Sequence, residues 1–564
     1  MLYRSTRAAK ESSDLKVFLA DCAEDGGLYV PEELPELSAT RLQQCIDQGP
    51  VAFFTEVLAA FFPSLEREKI QRRIFSSFAN EASQALYQGM PEIVHQEASK
   101  PYNVELDLAS LDIVPETNAW LKFLPLNPCL KDAFLLELWH METGSYHDLV
   151  DRIFFSLADL CVEQLMDSNT APLYVAVSDG QSASTCRSAF EHSRARGELV
   201  ILSRSKSGDE FEQALEAVGS GSSTPLLRFS AKHDQIQRRL DQEIAFWPLT
   251  QDGRARDWIR VSSRSFGYLA IHIALLILAV LLYEREGEEA EAISFFVSES
   301  DYDFLTAAIY VRALGFKIQD MHLSATSNRA ASDLIRNGRY NQAQRLQRTA
   351  ISSQDSMRPL NLERFIFELS LRDQHETESI LESLTTRQRF EVSDVMRKSI
   401  RSFYSSQSHK DGQIYAAIKS AYERFDHLLH PSSALCFLDD EARQKSRRRS
   451  EARVILDLYS PLRAPRQLTR AFERSRREAK LKPEILENFA NEAAIDLPEF
   501  ILKAFEAEGV QSHALDFERL DYYLNLASRP DFSLGALMDA GEDASDQSDP
   551  SEPSCESQEA LGDA

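Results

Sequence analysis

Short apolar runs rich in β-branched residues alternate with stretches of helical spacing through the middle of this chain, and that alternation sets its architecture. The runs are Leu173 to Val177, Leu199 to Leu202, Leu226 to Phe229, Ile293 to Val297 and Val454 to Leu458. Helical patterns such as Ser182 to Arg194 and Phe304 to Leu314 lie between them. Strands separated by helices are joined by crossovers and pair in parallel, so the pattern predicts an α/β core built on parallel sheet. Open sheets of this kind bind ligands beyond the carboxyl ends of their strands. Ser178 to Gln181 and Ser298 to Asp303 follow two of the runs and mark a candidate pocket.

Helical spacing dominates on both sides of this core. Asp14 to about Glu97 places Leu42, Ile46, Phe53, Val57 and Phe61 inward. Arg466 to about Ser528 again reads as helical, and from Asp539 onward the chain is rich in Asp, Glu, Ser and Pro without Lys or Arg. That composition predicts a disordered acidic tail. Upstream lies an arginine-rich stretch from Arg443 to Arg477, interrupted by Pro461 and Pro465 and therefore not one basic helix. It reads either as a solvated face or as a docking surface for an acidic partner, RNA or the chain's own tail. The apolar stretch Leu269 to Leu282, with His272 inside it, is shorter than the ~20 residues that a bilayer-spanning helix needs. It is expected to be a buried core or subunit-interface helix.

A chain of 564 residues has ample length for several domains and a large core. Its net charge of −26 argues against a general nucleic-acid binder. Seven scattered cysteines without CxxC spacing read as reduced cytosolic thiols, and no metal motif appears. The polar stretch from Met1 to Lys10 lacks an apolar signal segment, so a cytoplasmic protein with no membrane span is expected.

Two strings identify a relative. Leu2-Tyr3-Arg4-Ser5-Thr6-Arg7 is followed by Asp25-Gly26-Gly27-Leu28-Tyr29-Val30-Pro31, and Leu136-Glu137-Leu138-Trp139-His140 leads through Thr143 to Tyr146-His147-Asp148. The first resembles the opening of threonine synthases, and the second is similar to that family's LELFHGPTxAFKD. Asn361-Leu362-Glu363-Arg364-Phe365 follows the family's NFERL, and Gly338 and Tyr340 fit a later T-G-x-Y step. The resemblance spans roughly residues 2 to 465. It implies pyridoxal phosphate (PLP) fold type II, tryptophan synthase β-like, with two parallel-sheet lobes, a helical N-terminal domain and a helical C-terminal extension. The expected divisions are 1–97 for the N-terminal domain, 98–465 for the α/β core, 466–530 for the extension and 531–564 for the acidic tail.

Each segment that the resemblance assigns to the cofactor is eroded. His147 falls where the resemblance places the lysine whose amine joins the pyridoxal aldehyde, and imidazole moves protons but forms no such imine. Lys131, the nearest lysine, lies upstream of the motif. The family's phosphate loop IxFVVPTGNFGDIL becomes Ile293 to Leu305, with Glu299, Ser300, Asp301 and Asp303 replacing the phosphate-cradling pattern. Like charges about 5 Å apart at an effective dielectric of about 20 repel by roughly 3 kcal/mol per pair. Ser178 holds the register of a substrate-contacting turn while Gly180 is displaced by one position, Tyr268 replaces an arginine, and Leu458 replaces a hydroxyl residue near the pyridine nitrogen.

The leading expectation is therefore a threonine synthase-like protein without catalysis, with no cofactor bound and no confident catalytic residue. It would act by binding, as a scaffold, a ligand sensor or a regulator of a protein partner. The alternative is a divergent enzyme, either converting O-phosphohomoserine and water to threonine and phosphate or using new chemistry in the old pocket. In the first view His147 fills space; in the second it is an acid or base beside Asp148 or Glu142.

Overall fold

The computed structural model describes residues 1–8, 11–78, 124–130, 133–165, 171–179, 182–205, 210–219, 224–246, 258–285, 292–446, 452–472, 482–506 and 514–527. The expected acidic tail, residues 79–97, Lys131, Gly180, Arg447 to Arg449 and Arg474 to Arg477 lie outside them.

The N-terminal domain opens with an antiparallel sheet of β1 (Leu2–Ser5), β2 (Glu11–Ser13) and β3 (Tyr29–Pro31), in the order β2-β1-β3. Helices Ala39–Gln48, Pro50–Phe61 and Arg67–Phe78 follow, and Leu42, Ile46, Phe53, Val57 and Phe61 are all buried as their spacing predicts. Gly26 turns the chain at φ +77°, a conformation glycine adopts without steric cost. Gly27 lets Ser5 and Thr6 close in, because a Cβ there would stand 2.2 Å from Ser5 Oγ.

The core strands are β4 (Leu126–Leu130), β5 (Ala133–Glu137), β6 (Leu173–Val177), β7 (Glu198–Arg204), β8 (Leu226–Phe229), β9 (Trp258–Val261), β10 (Ile293–Val297), β11 (Ile318–Ala325), β12 (Arg339–Asn341), β13 (Arg389–Glu391), β14 (Tyr404–Ser408) and β15 (Ala452–Asp457). They form two main sheets. One is parallel throughout in the order β8-β7-β6-β9. The other runs β14-β11-β10-β15-β5-β4, parallel except where β4 turns back on β5. The short pair β12-β13 is antiparallel. Runs of Val, Ile, Leu and Phe are needed because helices cover both faces of such sheets.

Between the sheets runs helix Phe266–Arg285, packed on helices Pro50–Phe61, His147–Leu165 and Asp303–Ala313. It has 20 residues, so its length reaches that of a membrane span and the expected shortfall does not hold. Its burial decides its place: the apolar window lies entirely inside the protein. It is apolar all round because it is surrounded on all sides.

The segments that survive from the family pattern join these parts. Thr6 Oγ1 donates to Glu363 Oε1 at 2.5 Å and Arg7 Nη2 to Glu363 Oε2 at 2.7 Å. Arg364, fully buried, donates to the carbonyl oxygens of Tyr29 (3.0 Å) and Arg264 (2.7 Å). The C-terminal helices dock on the four-stranded lobe: Leu520, Tyr523 and Leu524 pack with Leu173, Val200 and Phe229, and Phe500 and Ile501 pack with Phe211 and Leu215.

Four arginines of the basic stretch are paired within the chain. Arg443 reaches Asp320 (2.9 and 2.5 Å), buried Arg453 holds Asp440 (2.6 Å), buried Arg463 donates to the Thr143 carbonyl (2.5 Å) and Arg466 pairs with Glu210 (3.3 Å). They tie sheet, helices and extension together, and the partners of Arg443, Arg463 and Arg466 lie far away in sequence.

Candidate functional site

The carboxyl ends of β6, β10 and β15 converge on a cavity of about 110 Å³. His147, Ser178, Glu299, Ser300, Asp301, Asp303 and Leu458 all line it, so the structure brings together every candidate position that it describes. Asp151, Tyr268, His272, Asp179, His233 and Tyr459 complete much of the wall.

His147 is the first residue of helix His147–Leu165, and its Nδ1 lies 3.7 Å from Oδ1 of Asp151, one turn along. Tyr268, on the central helix, donates its hydroxyl to the same Asp151 oxygen at 2.7 Å. Burial opposes charge on this imidazole, but Asp151, with Asp179 and Asp303 beyond, outweighs it and raises the His147 pKa above its ordinary value. The neighbours expected from sequence are otherwise engaged. Asp148 accepts from the N–H and the hydroxyl of Thr143, both at 2.9 Å. Glu142 binds Arg152 (3.1 Å) and Ser188 (2.8 Å) on another cavity. Asp151 was legible as the i+4 residue of a helix-starting histidine.

Glu299 occupies the place where the family cradles its phosphate, and it does so in an unexpected way. Its carboxylate turns onto the start of helix Asp303–Ala313, accepting from the N–H of Phe304 at 2.9 Å and of Leu305 at 3.0 Å. An anion at a helix N-terminus is favoured by free N–H groups and by the helix dipole. Here the chain's own carboxyl group takes those N–H groups. Tyr302 makes the turn at φ +64°, while Asp301 accepts from the Leu360 N–H (3.2 Å) and Asp303 from the Asn361 side-chain amide (2.6 Å). Burial, followed by the charge of Asp303, pushes Glu299 and Asp301 each up to about 8.

His272 faces the acids from the central helix. Its Nδ1 lies 2.9 Å from the Tyr268 carbonyl oxygen and so carries the proton. That leaves a lone pair on Nε2, which has no hydrogen-bond partner and stands 3.9 Å from Asp303 Oδ2. Ser178 turns its hydroxyl onto buried Glu216 (2.5 Å), and its carbonyl faces His233 Nδ1 (2.9 Å).

These residues do not fit PLP. Among the described residues no lysine lines the cavity to condense with its aldehyde. The N–H groups that would take its phosphate hold Glu299 instead. Leu458 offers the pyridine nitrogen no polar partner, and 110 Å³ is well below the roughly 300 Å³ at the lower end of common small-molecule pockets. A second cavity of about 770 Å³ separates Glu137 to Glu142 from the C-terminal helices near Phe500. Glu137 and His140, which keep the family register, line that cavity and not the pocket of His147.

Strand order and the placement of this pocket define a PLP fold type II protein. Residues 2–78 match the family described as Threonine synthase N terminus. A PLP-bound threonine synthase from Brucella melitensis superposes with a TM-score of 0.69 over 94% of this chain and 100% of its own, at 19% identity. Threonine synthase of Pseudomonas aeruginosa is 20% identical over 84% of this chain and 90% of its length. Threonine synthase-like 1 of Macaca fascicularis is 20% identical over 57% of this chain, a match spanning 44% of that relative's length. In its N-terminal domain and in its fold, the chain is similar to threonine synthases.

Proposed function

We propose that this protein is a threonine synthase-like pseudoenzyme that acts by binding in the strand-end pocket, without PLP lyase chemistry. The observation that supports this most directly is Glu299, whose carboxylate accepts the two N–H groups at the start of the Asp303–Ala313 helix. A phosphate dianion arriving there meets an occupied seat and further carboxylates at Asp301 and Asp303. His147, where the family has its lysine, supplies no primary amine.

The test is a titration of the purified protein with PLP. It follows the visible absorption of lysine-bound cofactor and the mass of borohydride-fixed adducts. No specific adduct is expected. An adduct on one defined lysine of the unmodified protein would overturn the proposal. So would phosphate release from O-phosphohomoserine that disappears when pocket residues are changed.

A further inference from the structure

We propose that the strand-end pocket binds the primary ammonium group of a compact amine. This rests on the reading that the pocket no longer holds PLP, and it names the ligand class that has replaced it.

The wall carries five carboxylates: Asp151 from the His147 helix, Asp179 after β6, and Glu299, Asp301 and Asp303 after β10. Its imidazoles are His147, His233 and His272, and Tyr146, Tyr268 and Tyr459 add phenolic groups. No lysine or arginine is among the described lining residues. Acidic side chains alone do not define a ligand, but His272 does more. Its side chain is only 1% exposed, yet the Nε2 acceptor beside Asp303 has no partner. A buried unpaired acceptor costs free energy that a donor would recover.

An alkylammonium has three N–H donors and no acceptor, which matches a wall of carboxylates and one imidazole lone pair. Burying that charge requires an opposite one nearby, and Asp303 supplies it. Anions are disfavoured by the same groups. A bare metal ion suits the pocket poorly, because among the described residues no three His, Cys, Asp or Glu side chains converge in a metal-holding arrangement. A cavity of about 110 Å³ restricts the ligand to a few heavy atoms. Burial and mutual repulsion hold Glu299 and Asp301 largely protonated at neutral pH, so an arriving ammonium ionises one of them. The carboxyl proton passes to the buffer as the ammonium takes its place.

The experiment is calorimetric titration of the full-length protein with methylammonium and ethanolamine at neutral pH, in buffers of different ionisation enthalpy. Choline is the control, because its quaternary nitrogen has the charge without the N–H donors. Binding with a dissociation constant of about 1 mM or tighter is expected for at least one primary amine, with net proton release. Asp303→Asn should weaken it by about tenfold or more. His272→Phe, checked for folding by circular dichroism, should weaken it as well and serves alone if the first variant is unfolded. The proposal is overturned if neither amine binds, if choline binds as tightly, or if folded variants bind like the parent. Lack of amine binding in a protein that also ignores PLP removes this inference alone. PLP fixed on a defined lysine would remove the underlying reading.

Discussion

Replacing Glu299 by Gln tests the self-occupied cradle through its pH dependence. The Glu299 carboxyl has an ordinary pKa of 4.5, and burial with the neighbouring charge of Asp303 raises it to about 8 in the folded protein. A carboxyl raised on folding binds its proton more tightly in the native state. Its contribution is full below pH 4.5 and declines through the window up to about 8. The limiting slope is about 1.4 kcal/mol per pH unit, and integration from pH 6 to 8 gives a loss of about 2 kcal/mol from this group alone. Gln has no such proton. It also keeps only one oxygen for the N–H groups of Phe304 and Leu305, a capping loss of about 1 kcal/mol that is independent of pH. Urea unfolding at pH 6, 7 and 8 should therefore find the stability of Glu299→Gln rising relative to the parent by about 2 kcal/mol from pH 6 to pH 8. Two curves that stay parallel across this range would refute the buried, proton-sharing arrangement.

Tyr268→Phe removes the 2.7 Å hydrogen bond to Asp151, which should cost about 1–3 kcal/mol in stability and raise the His147 pKa further as the freed carboxylate turns to it. Thermal melts and an NMR titration of the His147 ring protons measure both; an unmoved His147 would mean that Asp151 does not govern it. Gly27→Ala places a methyl group 2.2 Å from Ser5 Oγ and 2.9 Å from Thr6 Oγ1, so about 1–3 kcal/mol should be lost and residues 2–78 should become more sensitive to limited proteolysis. Arg260→Met strips one buried partner from Asp21, 2.9 Å away, and from Asp241, both of which keep Arg264, with an expected loss of about 1–3 kcal/mol. A melt within one degree of the parent would contradict that cost.

The architecture was legible in the sequence because parallel strands buried on both faces must be continuous apolar runs. Leu173–Val177, Leu226–Phe229 and Ile293–Val297 appear in the structure with the boundaries that their composition implies. The partners of Arg443 and Arg463 were not legible, since Asp320 and the Thr143 carbonyl lie more than a hundred residues away. Composition reveals a charge but not where its side chain points. The same limit applies at Glu299. Loss of the family's glycine and threonine there reads as loss of the phosphate cradle, whereas the N–H groups of Phe304 and Leu305 are in place and hold the chain's own carboxylate.

A cradle that is blocked can be reopened, whereas one that is absent cannot, and this difference can be measured. His147→Lys restores an amine but leaves Glu299 in the phosphate seat, so that variant alone should take PLP poorly. Adding Glu299→Thr frees the N–H groups of Phe304 and Leu305 for two charge-assisted hydrogen bonds to the phosphate, a gain of roughly 3 kcal/mol. The double variant should bind PLP about a hundredfold more tightly than His147→Lys, by visible absorption and by borohydride-fixed mass on the new lysine. Equal affinities for the single and double variants would show that Glu299 is not what closes the pocket, leaving Asp301, Asp303 and the narrow cavity to account for it.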